Sequence, residues 1–388
     1  MLVQLAVGGA VIPFITLLLE DRGLKISQIS LVFLAASTTL LVFPFLWGFI
    51  ADRYLALDRL FIVINLLSAA ALLFVATQQG FWGLLIGFAW LTACLNPCFT
   101  LVNALAFHHL ANPREQFGKL RAWGSLGWIL PFLPIALWTV WRPQSGLDFT
   151  LYLGAALSVM MAGVALKLPH TRPGAWRVST LPGEAGRYLP AMRRLLRDSN
   201  YVVLLASMFL IAGSYALMLF YSPPFLVKLG LPRPWVGPVQ AIGVIFEIVL
   251  LQWQPALLRR FDFTTVILTG CVALIVRHLM FAWLDSVWLL SLSYLLGGML
   301  IVFFHMVVSL LVNSMAAAEV RATAQTLLAL AGQGLGPMFA NFIAGRIALV
   351  SGGNLRPVFL FAAGMAGFAA VLIALRRRKL NEAGHRHR

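Results

Sequence analysis

Twelve apolar stretches, each about twenty residues long and nearly free of charge, recur along the chain between short polar interruptions. A helix of that length crosses a hydrocarbon layer about 30 Å thick. The pattern predicts membrane-spanning helices over 2–19, 26–50, 59–77, 81–107, 121–142, 149–168, 200–221, 234–258, 264–284, 287–314, 320–347 and 355–376. Barrel strands do not fit, because they would be ~10 residues long with strict alternation. The longest polar interruption divides six helices from six. It predicts an N-terminal six-helix bundle over 1–168, a cytoplasmic basic linker over 169–199, a C-terminal six-helix bundle over 200–376 and a basic cytoplasmic tail over 377–388. Within the linker, Tyr188 to Arg197 is spaced either as a basic amphipathic helix lying on an anionic membrane surface or as a solvated connection. The first segment begins at Met1 with neither a basic leader nor a cleavage pattern, so it reads as a retained helix.

Composition supports this class: 61% of residues are hydrophobic and 11% charged, against about 25% charged in soluble domains. A net charge of +16 would otherwise suggest nucleic acid. Its distribution says membrane instead. The loops after helices 2, 4, 6, 8 and 10, together with the tail, hold 21 Lys and Arg against 7 in the opposite loops. That asymmetry predicts a cell-membrane protein with both termini cytoplasmic, and no nucleic-acid partner. Cys94, Cys98 and Cys271 all fall inside helices and read as apolar packing residues, so no metal site and no cofactor is expected. A Gly-rich phosphate loop is also missing from the sequence, which argues against ATP-driven transport.

The halves repeat weakly. Arg121 is expected to open the fifth helix and Arg321 the eleventh, while Asp52-Arg53 after helix 2 has a counterpart in Arg259-Arg260-Phe261-Asp262 after helix 8. Parallel repeats of six helices belong to carriers that rock two bundles about a central site.

Gly48-Phe49-Ile50-Ala51-Asp52-Arg53, followed by Arg59, resembles the loop 2–3 signature of the major facilitator superfamily. The resemblance implies a conformational latch made by Gly48, Asp52, Arg53 and Arg59. Phe117-Gly118-Lys119-Leu120-Arg121-Ala122-Trp123-Gly124-Ser125-Leu126-Gly127-Trp128 resembles the fifth-helix start of phenylpropionate permeases, nucleoside–proton symporters and oligosaccharide–proton symporters. Gly243-Val244-Ile245-Phe246-Glu247, Val276-Arg277 and Glu319 to Gln325 extend the likeness over nearly the whole chain, with the phenylpropionate group nearest by spacing. It implies an all-α, twelve-helix fold in two bundles and substrate contact for Arg121 and Trp128. The chain departs from the nucleoside and oligosaccharide groups at Val302, where they carry an acid in helix 10, and from the oligosaccharide group at Asn103, where that group has a fourth-helix acid.

Ionised groups at bilayer depth persist where they face a cavity, a partner or a pathway. Glu247, Arg277 and His305 sit at similar depth in helices 8, 9 and 10. Glu247 is the deep carboxylate, and moving it between dry and hydrated or Arg-paired surroundings would load and release a proton. It is the expected proton carrier, with Arg277 as counter-charge and His305 as relay or ligand; a permanent Glu247–Arg277 pair tying two helices is the structural alternative. A 3.6-residue period places Gln240, Gly243 and Gln254 on the face of Glu247, and Gly298 and Ser309 on that of His305. Arg121, Ser125 and Trp128, at i, i+4 and i+7, offer charge, a hydroxyl and an aromatic surface on one face; snorkelling and packing are the bland alternatives. Asn103, Tyr215, Tyr221 and Gln240 are further lining candidates. Glycines in helix 11 and Pro97 in helix 4 suit moving helices or tight packing.

The expected function is a monomeric secondary transporter, not an enzyme, importing a small aromatic or other organic anion with a proton. Nucleoside or sugar symport is the alternative within the class. A membrane enzyme acting on lipid-linked substrates and a non-transporting receptor are the alternatives outside it.

Overall fold

A computed structural model describes residues 1–109, 113–143, 146–168, 185–317 and 320–385. Among these the regular structure is helical, with twelve helices long and apolar enough to cross a membrane. They are α1 (Leu2–Val11 and Ile15–Asp21, joined by a 3-10 turn over Ile12–Phe14), α2 (Ile26–Arg53), α3 (Leu57–Thr77), α4 (Phe81–His109), α5 (Pro113–Ile129 and Phe132–Trp141) and α6 (Asp148–Ala165). Then come α7 (Ser199–Lys228), α8 (Val236–Arg260), α9 (Phe263–Trp283), α10 (Val287 to Met315), α11 (Arg321 to Val350) and α12 (Arg356–Leu375). α10 and α11 each contain one π turn, over Ile301–Met306 and Leu330–Leu335. A linker helix (Ala185–Arg197) precedes α7, and a tail helix (Arg377–His385) follows α12.

Two expected boundaries move. α5 starts at Pro113 rather than at Arg121, because proline at the first helical position leaves no orphan N–H and its polar first turns continue past the apolar run. Arg121 therefore lies eight residues inside the helix instead of opening it. α7 runs through Pro223-Pro224 to Lys228, beyond the expected end at 221, since proline is tolerated in membrane helices where neighbours satisfy the freed carbonyls.

The chain forms two compact units, one comprising Met1–Arg177 with Phe220–Ala241 and the other Val178–Leu219 with Ile242–Arg388. In the first, α1 and α5 cross with backbones nearly touching. A Cβ at Gly9 would overlap the Trp128 carbonyl oxygen, and one at Gly127 would overlap that of Leu2. Arg22, just past α1, donates to the Val75 and Gln78 carbonyls and pairs with Asp148 at 2.6 Å, joining the ends of α1, α3 and α6. The final turns of α7 and the start of α8 also pack here. Phe220 stacks on Phe33 with centroids 4.0 Å apart, Lys228 pairs with Glu20 at 3.1 Å, and Arg233 takes Asp21 in a bidentate pair. α1 and α7 end alike, on Gly23 and Gly230 with φ of 79° and 105°, which only glycine adopts freely.

In the second unit, α7, α9, α10 and α11 share a continuous apolar core that also takes up Leu195 of the linker helix and Leu380 of the tail helix. Arg193, Arg194 and Arg197 remain exposed while Leu195 is buried, so the linker's C-terminal part is a helix with a basic outer face. Exposed Trp82, Trp141, Trp235, Trp283 and Trp288 lie at helix ends, where amphipathic rings favour the membrane–water boundary. Cys94, Cys98 and Cys271 are buried and free.

Candidate transport site

Arg121, Ser125 and Trp128 follow the α-helical repeat along α5. Ser125 is buried, and Arg121 and Trp128 are half-buried. Gly124, Gly127 and Gly8 let α1 and α5 approach so closely that the Trp128 ring lies against Gly8 and, with centroids 6.4 Å apart, beside Phe99. Beneath it sits a polar pair that sequence reasoning missed. Asn65 of α3, fully buried, donates to Gln4 at 3.2 Å and to the Phe61 carbonyl at 2.9 Å. The Gln4 Nε2 and Asn65 Oδ1 atoms are buried without hydrogen-bond partners. Uncharged amides inside long apolar helices give little signal one helix at a time; their pairing exists only after packing. The side chain of Asn103 lies outside the described residues.

Tyr221 and Gln240 also belong to this first unit. Tyr221 is fully buried, edge-on to Phe33 at 6.2 Å. Gln240 donates from Nε2 to the Pro13 carbonyl at 3.3 Å, in the 3-10 turn that interrupts α1. Of the latch residues, Arg53 places its guanidinium carbon 5.0 Å over the Phe49 ring, Arg59 is exposed, and a Cβ at Gly48 would meet nothing within 4 Å. The Asp52 side chain is outside the described residues.

The second unit gathers the deep charges. Arg277 is 3% exposed, with its guanidinium carbon 4.0 Å over the ring of Tyr294 and 5.9 Å from that of Phe281. Two adjacent glycines of α10 admit it and its neighbour. A Cβ at Gly297 would stand 2.7 Å from Arg277 Nη1, and one at Gly298 would stand 2.6 Å from the Gly243 carbonyl and 2.9 Å from the Glu247 nitrogen. Tyr215 of α7 lies within electrostatic reach of Glu247, Arg277 and Tyr294, and its ring meets His305 edge-on at 6.1 Å. Glu247, Arg277 and His305 thus converge around one phenol. Tyr294 and Gly297 are the members that helical spacing did not identify, since neither is charged and each matters only through a neighbouring helix.

The expected face of His305 needs correction. Gly298 turns to α8, His305 to Tyr215 of α7, and Ser309 to α11, where Ser309 and Gln325 exchange two hydrogen bonds of 2.8 Å. The cause is the π turn over Ile301–Met306. One surplus residue in that turn shifts everything beyond it by about 100° from the 3.6-residue repeat. Val302 is fully buried in the apolar core, and its carbonyl accepts from Gln254 Nε2 at 3.1 Å.

Among the described residues no group of three or more His, Cys, Asp or Glu is placed to hold a metal ion. What the arrangement offers is a carboxylate, a guanidinium and an imidazole grouped around the Tyr215 phenol, with Tyr294 against the guanidinium.

Comparison with known proteins identifies the fold and the family. The transporter YegT of Escherichia coli (strain K12) is 27% identical over 97% of this chain and 90% of its own length. The xanthosine permease of the same organism is 25% identical over 89% and 86%. Crystal structures of the nucleoside transporter NupG superpose with TM-scores of 0.83 and 0.81 at 20% identity, covering 96% of this chain. A bacterial homologue of the lysosomal transporter Spinster superposes at 0.71 with 12% identity, covering 100% of this chain and 95% of its own. The shared fold is that of major facilitator carriers. Residues 1–382 match the family described as nucleoside H+ symporter, so the chain belongs to that family of membrane transporters.

Proposed function

We propose that this protein carries a nucleoside together with a proton across a cell membrane, working as a monomer with both termini in the cytoplasm. Family membership favours this cargo over the organic anion expected from Arg121, Arg277 and His305 set against one deep acid. The supporting observation is the convergence of Glu247, Arg277 and His305 around Tyr215.

Glu247 carries the proton. Ionised, it is drawn to Arg277, whose place is fixed by the Tyr294 face and the space left at Gly297. Protonated, it releases that attraction and turns from acceptor to donor, which changes what the site offers to a ribose hydroxyl or a base edge. A neutral cargo needs hydrogen bonds and aromatic faces, which Arg121, Ser125 and Trp128 offer in the first unit and Tyr215 offers in the second. Transport is by alternating access of two six-helix bundles, 1–168 and 200–376, with Gly48, Asp52, Arg53 and Arg59 as the latch.

The test is proteoliposome transport. Glu247→Gln is expected to keep nucleoside counterflow and to lose accumulation driven by a proton gradient. Undiminished accumulation would reject the carrier role. Uptake of an aromatic acid that nucleosides do not inhibit would restore the anion reading.

A further inference from the structure

His278 follows Arg277 on α9, and the mechanism above leaves it unused. It is fully buried, with Nε2 2.9 Å from Ser214 Oγ of α7. Ser214 Oγ is also 2.8 Å from the Ala362 carbonyl of α12, an acceptor only. A hydroxyl has one proton, and the carbonyl claims it. The imidazole must therefore donate from Nε2, leaving Nδ1 as a bare acceptor, and Nδ1 is indeed buried without a hydrogen-bond partner. The chain of bonds His278 to Ser214 to Ala362 ties α9, α7 and α12 at one level, against Phe359.

That level matters because of what stands beside it. Consecutive helical residues point about 100° apart. Arg277 and His278 thus leave one turn of α9 in two directions, and Ser214 and Tyr215 do the same on α7. The buried bond joins one member of each pair. The other members are Arg277 and Tyr215, which lie within electrostatic reach of each other, and Tyr215 is also within reach of Glu247. A slip of one residue along α9 would shift Arg277 by about 1.5 Å, turn it by about 100° away from Tyr294 and break the bond.

We infer that His278, as a neutral imidazole donating to Ser214, is a positioning residue that sets the register of α9 against α7 and so holds Arg277 at the coupling site. This rests on the reading that the cluster around Tyr215 couples cargo to proton. It differs from a packing role in requiring a donor, not merely a shape.

The experiment uses the full chain in three variants. His278→Leu removes the donor, Ser214→Ala removes the acceptor at little cost in volume, and His278→Gln restores an amide donor at similar reach. The first readout needs no cargo. In ¹⁵N spectra His278 should appear as the Nε2–H tautomer, and the Arg277 Nε–H resonance, assigned with Arg277→Lys and displaced by the Tyr294 ring, should move in the Leu and Ala variants but not in the Gln variant. The second readout is proton-driven nucleoside uptake, where the Leu and Ala variants should lower Vmax/KM on the order of tenfold and the Gln variant should stay near the unmodified protein. An Nδ1–H tautomer, an unmoved Arg277 resonance in Ser214→Ala, or a Gln variant as impaired as Leu would each overturn the inference. If the unmodified protein transports no nucleoside, the function proposed above fails by itself, and the Arg277 resonance still decides the role of His278.

Discussion

Both units bring helices together through glycine, yet to opposite ends. At the α1–α5 crossing, Gly9 and Gly127 let one backbone touch another, and no side-chain charge enters the contact. At α8–α10, Gly243 and Gly298 do the same, but the preceding residue, Gly297, leaves its space to the Arg277 guanidinium. The first crossing fixes two rods; the second holds a charge in place. A glycine against a carbonyl is thus a stability element, whereas a glycine against the tip of a long side chain is a functional one. Substitution should separate them.

Gly9→Ala should have the largest effect. Its methyl group has only the Trp128 backbone to displace, so the loss should reach about 3 kcal/mol, the upper part of the range for overpacking. Thermal unfolding of the purified variant, or its failure to accumulate in membranes, would register this; an unchanged midpoint would mean that the helices do not touch there. Gly297→Ala should sharpen the contrast. Its Cβ meets a movable guanidinium tip, so the unfolding midpoint should stay near the original while proton-driven uptake falls about tenfold. Equal losses of stability in both variants would erase the distinction.

Asp21→Asn should act more weakly. Arg233 and Asp21 are partly exposed, with side chains 40% and 23% accessible, so losing their pairing should cost about 1 kcal/mol. The difference from the unmodified protein should shrink in 1 M salt, where such pairs are screened. Gly163→Ala is the smallest change and has the opposite sign. Nothing lies within 4 Å of its added methyl group, so relief of backbone entropy should stabilise α6 by about 0.5–1 kcal/mol. A lowered midpoint there would point to a neighbour against that face.

The architecture was legible because a crossing helix announces itself by length and hydropathy, independently of its neighbours. The ends were less so. The end of the apolar run at Arg121 and the tandem Pro223-Pro224 look like boundaries, but α5 begins eight residues earlier at Pro113 and α7 continues through its prolines. For the site, Glu247, Arg277 and His305 stood out because charge or imidazole at such depth is expensive. Tyr294, Gly297, Asn65 and Gln4 did not, since nothing in one helix marks which tyrosine, glycine or amide another helix will meet. The misplaced face around His305 has a different origin. Periodicity counts assume a constant repeat, and α10 departs from it over Ile301–Met306.

That departure has a bearing on how the gene can change. Removing one codon from a membrane rod normally turns every later side chain to a new neighbour. Within Ile301–Met306 or Leu330–Leu335 the same deletion would take out the surplus residue, return the stretch to regular winding and leave later side chains aimed as before. The two sites are where α10 and α11 can be shortened while the rest of each helix keeps its orientation.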